Sequence, residues 1–323
     1  MIERFAWHDP NWHELIERKR SGRFPHALLF NGAGGTGKAQ LALALSHALL
    51  CQNPAETGEA CGQCKSCLLI EAGSHPDLLT LTLEEDAKDI KIAQVRELMS
   101  QLALTSQYDG YKIAIIWPAE RMNINSANSL LKTLEEPADN TLLILVTAQP
   151  SRLLPTIRSR CQQINFTLPP HDMALQWLAE QRVEQAELLL ALADGAPLLA
   201  AELGESEALE QRSTLFAAFK ALNMGKNDPI SVADIWGKSE PTTSLRWLMS
   251  WVMDMIRLRM GGSREMLANP DIEQDLQRLA EPLDLAEMFK RFDQIAESLR
   301  LSSATINQQL LLEETMMSWA RNR

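Results

Sequence analysis

The sequence predicts an α/β fold, a doubly wound parallel sheet, followed by a region built from helices alone. In the first half of the 323 residues, short apolar runs alternate with amphipathic stretches. This alternation is the pattern of a parallel sheet with helices on both faces. After residues 169–170, both prolines, only helical periodicity continues. Chain length and this change of character predict two or three domains.

Each element of the first half follows from its apolar pattern. The helix at 125–136 ends at Pro137, because proline cannot continue a helix. The predicted strands are 27–30, 77–83, 112–117, 141–147 and 163–166, and the predicted helices are 39–50, 92–104, 125–136 and 153–158.

The second half is predicted to be all-helical. Three short helices come first, then a loose stretch at 225–241, then longer helices whose apolar residues recur at helical spacing. The short helices are 173–181, 185–193 and 198–203. The two apolar stripes are Leu245, Leu248, Val252, Met255 and Ile256, and then Leu285, Met288, Phe289, Phe292, Ile295 and Leu299. These methionine-containing stripes are interpreted as packing surfaces.

The charge distribution argues against a broad nucleic-acid-binding surface. The formal net charge is -11. Residues 1–169 hold 18 acidic and 16 basic side chains, whereas residues 170–323 hold 24 and 15. Proteins that bind duplex DNA by themselves usually carry a basic surplus that displaces counterions from phosphates. Any contact with nucleic acid is therefore expected to be local or shared with partners.

The sequence also predicts a cytoplasmic protein without a membrane partner. No uncharged apolar run reaches the roughly 18 residues that a membrane span needs. Residues 1–10 mix acidic, basic and aromatic side chains and lack the apolar core of a secretory signal.

A degenerate P-loop follows the first predicted strand. The segment that begins at Gly32 reads G-A-G-G-T-G-K and matches the pattern G-x-x-x-x-G-K. Gly32, Gly35 and Gly37 let backbone N–H groups converge on phosphate oxygens, and Lys38 is placed to reach the terminal phosphates. Position 39 is Ala, where a Ser or Thr hydroxyl should bind Mg²⁺. The motif predicts a phosphate cradle with a damaged magnesium site.

The second acidic motif of a P-loop ATPase is also missing. An active enzyme needs an Asp at the end of the strand 112–117 to hold magnesium, and often a Glu beside it to activate water. Trp117 and Pro118 stand at these places. Glu120 is near, but it lies two residues beyond the proline and is not expected to replace the missing base. The sequence therefore predicts a pseudo-ATPase.

Four of the five cysteines form a candidate metal site. Cys51, Cys61, Cys64 and Cys67 lie within 17 residues, and Cys161 stands alone. Two-residue gaps let neighbouring thiolates face one ion, and four thiolates suit a tetrahedral Zn²⁺ that leaves no position for water. The alternative is a set of free structural cysteines. The preferred interpretation is structural zinc.

The triplet Ser159-Arg160-Cys161 precedes the last predicted strand. An arginine at a domain edge is ordinarily a solvated charge. Next to an ATPase neighbour it has another use, because an arginine supplied in trans stabilises charge that develops on a γ-phosphate.

Together these residues resemble the delta-prime family of bacterial DNA polymerase III clamp-loader subunits, within the AAA+ superfamily. The similarity is dense from about residue 25 to 167 and thinner beyond. The segments that carry it are 26–29, the degenerate P-loop, the four-cysteine insert, 73–77, 128–137, 159–161 and 306–313.

The resemblance implies a subunit that does not hydrolyse ATP and sits in a pentamer with gamma/tau-type motor subunits and a delta subunit. The assembly would load a ring-shaped sliding clamp onto primed DNA. Arg160 would act in trans on a neighbouring motor's ATP, and Ser159 would support its loop. Thr147 falls where relatives place a phosphate sensor, whereas Leu198 replaces a second sensing arginine. The implied domains are an AAA+ domain at 1–169, a helical lid at 170–207 and an α-helical collar at 208–323.

Three other functions stay open at the level of sequence. The chain could be an ATP-hydrolysing motor subunit, which would need magnesium ligands that the motifs do not show. It could be a zinc-containing DNA-binding scaffold, which the acidic balance opposes. It could also be a plain scaffold in which Arg160 is idle.

Overall fold

The structure, a computed structural model, describes residues 4–84, 87–108, 110–302 and 307–320. The chain divides into two compact units, Met1–Met173 and Ala174–Arg323. The division into three domains, with boundaries after residues 169 and 207, stays a prediction.

Five parallel strands form one sheet in the first unit. Their order across the sheet is β2-β3-β4-β1-β5, and every neighbouring pair is parallel. The predicted α/β fold with a parallel sheet is confirmed, and each strand lies within two residues of its predicted bounds. The strands are β1 (Ala27–Gly32), β2 (Leu78–Leu81), β3 (Lys112–Ile116), β4 (Thr141–Thr147) and β5 (Gln162–Phe166).

Seven helices surround this sheet in the described part of the first unit. The first and the third of them were missed from sequence. The predicted helix 125–136 is two short helices that meet at Leu130, and the predicted helix 153–158 begins only at Pro155. The helices are α1 (Asp9–Arg20), α2 (Lys38–Leu50), α3 (Lys65–Glu71), α4 (Ile92–Leu102), α5 (Ile124–Ser129), α6 (Leu131–Glu135) and α7 (Pro155–Arg158).

Apolar layers cover both faces of the sheet because side chains alternate along each strand. Leu28 and Phe30 of β1 pack in one cluster with residues of α1 and α2. Ala27 and Leu29 pack in another with residues of α4 to α7. The sheet is therefore doubly wound, as the sequence predicted, and loops at its edges are held by a core on each side.

Gly32 allows the close approach of two strands at the start of the P-loop. It pairs with Phe166 and has a φ of 149°. A Cβ atom here would overlap the carbonyl oxygen of Phe166. Only glycine therefore fits where β1 leaves the sheet beside β5.

The second unit contains helices and no strand within its described residues. The three predicted short helices are confirmed with slightly shifted bounds. The helices are α8 (His171–Glu180), α9 (Ala186–Leu192), α10 (Pro197–Glu205), α11 (Ala208–Asn223), α12 (Pro229–Trp236), α13 (Pro241–Arg259), α14 (Glu273–Ala280), α15 (Leu285–Ser302) and α16 (Gln308–Ala320).

The prediction of a loose stretch at 225–241 is wrong, because α12 lies inside it. The Asp228 carboxylate caps this helix by accepting a hydrogen bond from the Ser231 N–H at 3.0 Å, and Pro229 occupies its first position. Both are ordinary signals of a helix start. Trp236 at its other end is fully buried and packs against Trp251.

The two predicted stripes pack differently. All five residues of the first stripe, on α13, are buried in one core. On α15, Met288 and Ile295 are buried in the same core, whereas Leu285 and Phe289 are exposed. The packing interpretation therefore fails for those two residues. The segment 306–313 was expected to form the last helix. Residues 308–313 do lie in α16, Asn307 directly precedes it, and Ile306 lies outside the described residues.

No helix in the described ranges combines the length and the apolar character that crossing a membrane requires.

We expect Gly32→Ala to destabilise the protein more than Gly22→Ala. Both glycines have positive φ, but a Cβ at Gly22 meets no atom within 4 Å. Backbone strain should cost about 1 kcal/mol in each variant, and overlap with Phe166 should add about 1–3 kcal/mol at Gly32. Urea unfolding midpoints measure the difference. Equal midpoints for the two variants would show that the sheet edge has room for a side chain.

Candidate functional site

The P-loop connects β1 to α2 at the edge of the sheet where the strands end. Gly35 and Gly37 have φ values of 69° and 86°, a left-handed conformation that suits glycine. A Cβ atom at Gly37 would lie 2.5 Å from Phe5 and 2.9 Å from His8. The loop therefore packs tightly against side chains from the start of the chain.

These aromatic side chains also hydrogen-bond to the loop. The Trp7 indole Nε1 donates to the Thr36 carbonyl oxygen at 2.9 Å, and His8 Nε2 donates to the same oxygen at 2.8 Å. The Phe5 and Trp7 rings stack with centroids 4.6 Å apart. Burial lowers the pKa of His8 to about 4, so its imidazole is neutral near pH 7. No sequence motif marks residues 5–8 as partners of the P-loop.

Lys38 is turned into its own loop. Its side chain is buried, with 6% of the residue exposed, and its ammonium group donates a hydrogen bond to the Ala33 carbonyl oxygen. Burial lowers the pKa of Lys38 to about 8, although the negative charge of Glu120 acts in the opposite direction. The next residue, Ala39, offers only a methyl group. The predicted Gly32, Gly35, Gly37 and Lys38 do form one loop.

The other side chains at this end of the strands offer few ligands for magnesium. Trp117 packs partly against the apolar core, and Pro118 follows it. Glu120 accepts a hydrogen bond from the Ala148 N–H at 3.2 Å, and its second carboxylate oxygen is buried without a partner among the described residues. Thr147 lies beside Asn31 at the end of β4, and its hydroxyl accepts from the Gln149 N–H at 3.0 Å.

Arg160 lies at the opposite edge of the sheet. It precedes Gln162, which begins β5 next to Leu28 of β1, whereas Gly32 at the other end of β1 leads into the P-loop. Four residue steps, about 13 Å, separate these two levels along the strands. The Arg160 side chain is 37% exposed. The P-loop of this chain and the Arg160 guanidinium therefore lie at opposite ends of the strands.

The loop around Arg160 is held by hydrogen bonds to one carbonyl oxygen. The Thr156 oxygen accepts from Ser159 Oγ at 3.2 Å and from Arg160 Nη1 at 3.1 Å. Arg160 Nη2 also lies 2.7 Å from Glu135 Oε1. Cys161, the third residue of the triplet, is buried, and burial raises the pKa of its thiol to about 12. Its thiol is therefore protonated near neutral pH.

The four clustered cysteines converge as the spacing predicted. Their sulfur atoms all lie within 4.8 Å of one another. Individual Sγ–Sγ distances are 3.4 Å for Cys64 and Cys67 and 3.9 Å for both Cys51–Cys64 and Cys61–Cys67. A tetrahedral zinc site with bonds of about 2.3 Å requires sulfurs about 3.8 Å apart, whereas a disulfide requires about 2 Å. This cluster fits a metal.

The thiols of this cluster differ in acidity. Burial raises the pKa of Cys67 to about 12. Burial acts in the same direction on Cys64, but hydrogen bonds, among them those from the N–H groups of Cys67 and Gln52, bring its pKa down to about 6. Since a metal binds thiolates, its binding would release protons from this set.

A turn at residues 55–59, inside the cysteine insert, braces α1. Trp12 Nε1 donates to the Thr57 carbonyl oxygen at 3.1 Å, and a Cβ at Gly58 would lie 2.7 Å from Ile16. Arg4 forms an ion pair with Glu59 at 3.2 Å. The insert thus supports α1. This helix follows residues 5–8, which pack against the P-loop.

Known proteins match this chain along most of its length. Family models described as DNA polymerase III, delta subunit, and its C-terminal part match residues 7–170 and 206–321. The delta' subunit of DNA polymerase III from Pseudomonas aeruginosa is 37% identical over 99% of this chain and 98% of its own length. The Escherichia coli delta' subunit is 32% identical over 97% and 94%. The Escherichia coli tau subunit is 35% identical over 45% of this chain and 22% of its own length.

Proposed function

The chain belongs to the DNA polymerase III delta' family, and from this we propose that it is the non-hydrolysing subunit of a clamp loader. In this proposal the assembly is a cytoplasmic heteropentamer that places a sliding clamp on primed DNA. Its other members are gamma/tau-type motor subunits and a delta subunit. The chain's similarity to tau supports motor subunits of the same AAA+ fold as neighbours.

The absence of ATP hydrolysis by this chain is proposed from the state of its P-loop. Hydrolysis needs a magnesium ion and an activated water. Ala39, Trp117 and Pro118 supply neither the hydroxyl nor the carboxylates for these tasks. The Lys38 ammonium group donates a hydrogen bond to the Ala33 carbonyl oxygen, and the loop packs against Phe5. The single observation that carries the proposal is this combination of a retained loop with lost metal ligands.

The role in trans is proposed from the location of Arg160. Its guanidinium is on the surface, at the edge of the sheet away from its own P-loop. An arginine there has no phosphate of its own chain to act upon. A neighbouring motor subunit that packs against this edge would receive the guanidinium at its γ-phosphate, where it would stabilise charge in the transition state. Ser159 shares the Thr156 oxygen with Arg160 and supports the loop.

The metal held by the four cysteines is proposed to be a structural Zn²⁺. Four sulfur ligands at tetrahedral separations favour zinc over magnesium or calcium, which prefer oxygen. The ion would stabilise the insert. Through the turn at residues 55–59 it would also stabilise α1. We further propose that residues 170–207 act as a lid and 208–323 as a collar that holds the pentamer.

The isolated chain is expected to show no ATP turnover. Lys38→Ala should have the same background rate as the wild type, because no metal-dependent chemistry is lost. A steady-state phosphate-release assay measures the rate, and titration calorimetry with ATP and magnesium measures binding. Turnover that Lys38→Ala abolishes would identify an active motor subunit instead, and sub-micromolar binding would contradict the damaged state of the nucleotide site.

Arg160→Ala should leave assembly intact and lower the DNA-stimulated ATPase of the reconstituted complex. The exposed ion pair that it removes contributes about 0–1 kcal/mol to stability, whereas an arginine finger accelerates the site it serves by roughly 10³–10⁵. Arg152, an exposed arginine eight residues earlier in the chain, provides the control: Arg152→Ala should behave as the wild type. Unchanged ATPase in Arg160→Ala complexes would favour a plain scaffold.

Cys64→Ser should lose bound zinc and lower the thermal unfolding temperature by about 5–15 °C, since a structural zinc contributes directly to folding. Cys161→Ser removes a thiol outside the cluster and should keep one zinc per chain. Elemental analysis of protein purified without chelator, together with calorimetry, tests both. A wild-type protein without zinc would contradict the assignment of the metal.

A further inference from the structure

The Arg160 guanidinium contacts two oxygen atoms on two different helices, one in an ion pair and one in a hydrogen bond. Nη2 pairs with Glu135 Oε1 at 2.7 Å, and Nη1 donates to the Thr156 carbonyl oxygen at 3.1 Å. Glu135 is the last residue of α6, and Thr156 lies in α7. The proposed function explains why Arg160 is exposed but gives Glu135 no part.

Both acceptors stand on firmly packed supports. Leu134, next to Glu135, is buried in the core, and its carbonyl oxygen accepts a hydrogen bond from His26 Nε2 at 3.1 Å. Ile157, next to Thr156, is fully buried in the same core. The backbone beside both partners of the flexible Arg160 side chain is thus fixed by the core.

The contacts leave the guanidinium free to bind a phosphate. Arginine has five N–H donors in a planar fork. Thr156 accepts from one of them, and the Glu135 carboxylate is ion-paired with Nη2, so further N–H groups remain for an anion. A guanidinium that is already oriented loses less freedom when it meets a phosphate than one that must be ordered at that moment.

We propose that Glu135 is a positioning residue for Arg160, which orients the guanidinium for the neighbour's γ-phosphate. This inference rests on the proposed function in trans. The carboxylate acts through its ion pair with the guanidinium, whose Nη2 lies 2.7 Å from Oε1. It follows that an uncharged side chain of the same shape should not replace it.

The test uses the full reconstituted complex with Glu135→Ala, Glu135→Gln, Arg160→Ala and a control, Glu136→Ala. Glu136 is the adjacent exposed carboxylate and forms no ion pair among the described residues. Single-turnover and steady-state DNA-stimulated ATPase give kcat and KM for ATP. Gel filtration verifies that each variant enters the complex.

Glu135→Ala should lower kcat at the site served by Arg160 on the order of tenfold, with KM for ATP unchanged. Glu135→Gln should be about as slow as Glu135→Ala, because it keeps the shape but not the charge that pairs with Arg160. Glu136→Ala should match the wild type. Loss in both Glu135 variants, with Glu136→Ala unchanged, supports the positioning role.

Other results overturn the inference and are distinguishable from failure of the proposed function. If Arg160→Ala lowers the ATPase while Glu135→Ala does not, Glu135 has no positioning role and the function in trans stands. If both Glu135 variants raise kcat, the carboxylate competes with the phosphate for Arg160. If Glu135→Gln is as fast as the wild type, orientation by the ion pair is wrong. If Arg160→Ala has no effect, the proposed function itself fails.

A second measurement uses the isolated chain. Phenylglyoxal modifies exposed guanidinium groups, and mass spectrometry of the Arg160 peptide gives the rate. Modification should be faster in Glu135→Ala than in the wild type or in Glu136→Ala, because one of the two contacts that hold Arg160 is gone. Equal rates in all three proteins would show that Glu135 does not hold the guanidinium.

Discussion

The direction of the parallel strands is the constraint on which the rest of the structure depends. Because all five strands run the same way, the P-loop after β1 and the arginine before β5 lie on opposite edges of one sheet. A single chain of this kind cannot bring Arg160 to Lys38 without breaking the sheet. In the proposed assembly, a head-to-tail arrangement of such subunits would bring the arginine edge of one subunit to the phosphate edge of the next. This separation within one chain is the basis of the proposed role in trans.

The phosphate edge of this chain is built around protein atoms rather than around a metal. Trp7 and His8 bond to the Thr36 carbonyl oxygen, and the Lys38 ammonium bonds to that of Ala33. The turn at residues 55–59 of the cysteine insert then supports α1 through Trp12. The P-loop and the candidate metal site therefore contribute to one structural unit.

Local patterns predicted most of the fold, and contacts between distant segments account for what was missed. The strands, the P-loop and the convergence of four cysteines follow from apolar runs, glycines and short spacings that act within about 20 residues. Helix α12 was missed although Asp228 and Pro229 signal its start, because the surrounding polar residues suggested a loop. The packing of Phe5 on Gly37 and the pairing of Glu135 with Arg160 join segments 25 or more residues apart. Such pairings depend on tertiary packing and on rotamers, which no periodicity encodes.

We propose that this chain completes a neighbour's ATP site and does not hydrolyse ATP at its own. A cryo-EM structure of the reconstituted complex with primed DNA and a transition-state mimic of the γ-phosphate tests both parts of this proposal. We expect the Arg160 guanidinium within hydrogen-bond distance of the mimic in the adjacent motor subunit, with no nucleotide–magnesium complex in the loop that contains Lys38. A magnesium-bound nucleotide in that loop, or Arg160 facing solvent away from any phosphate, would contradict it.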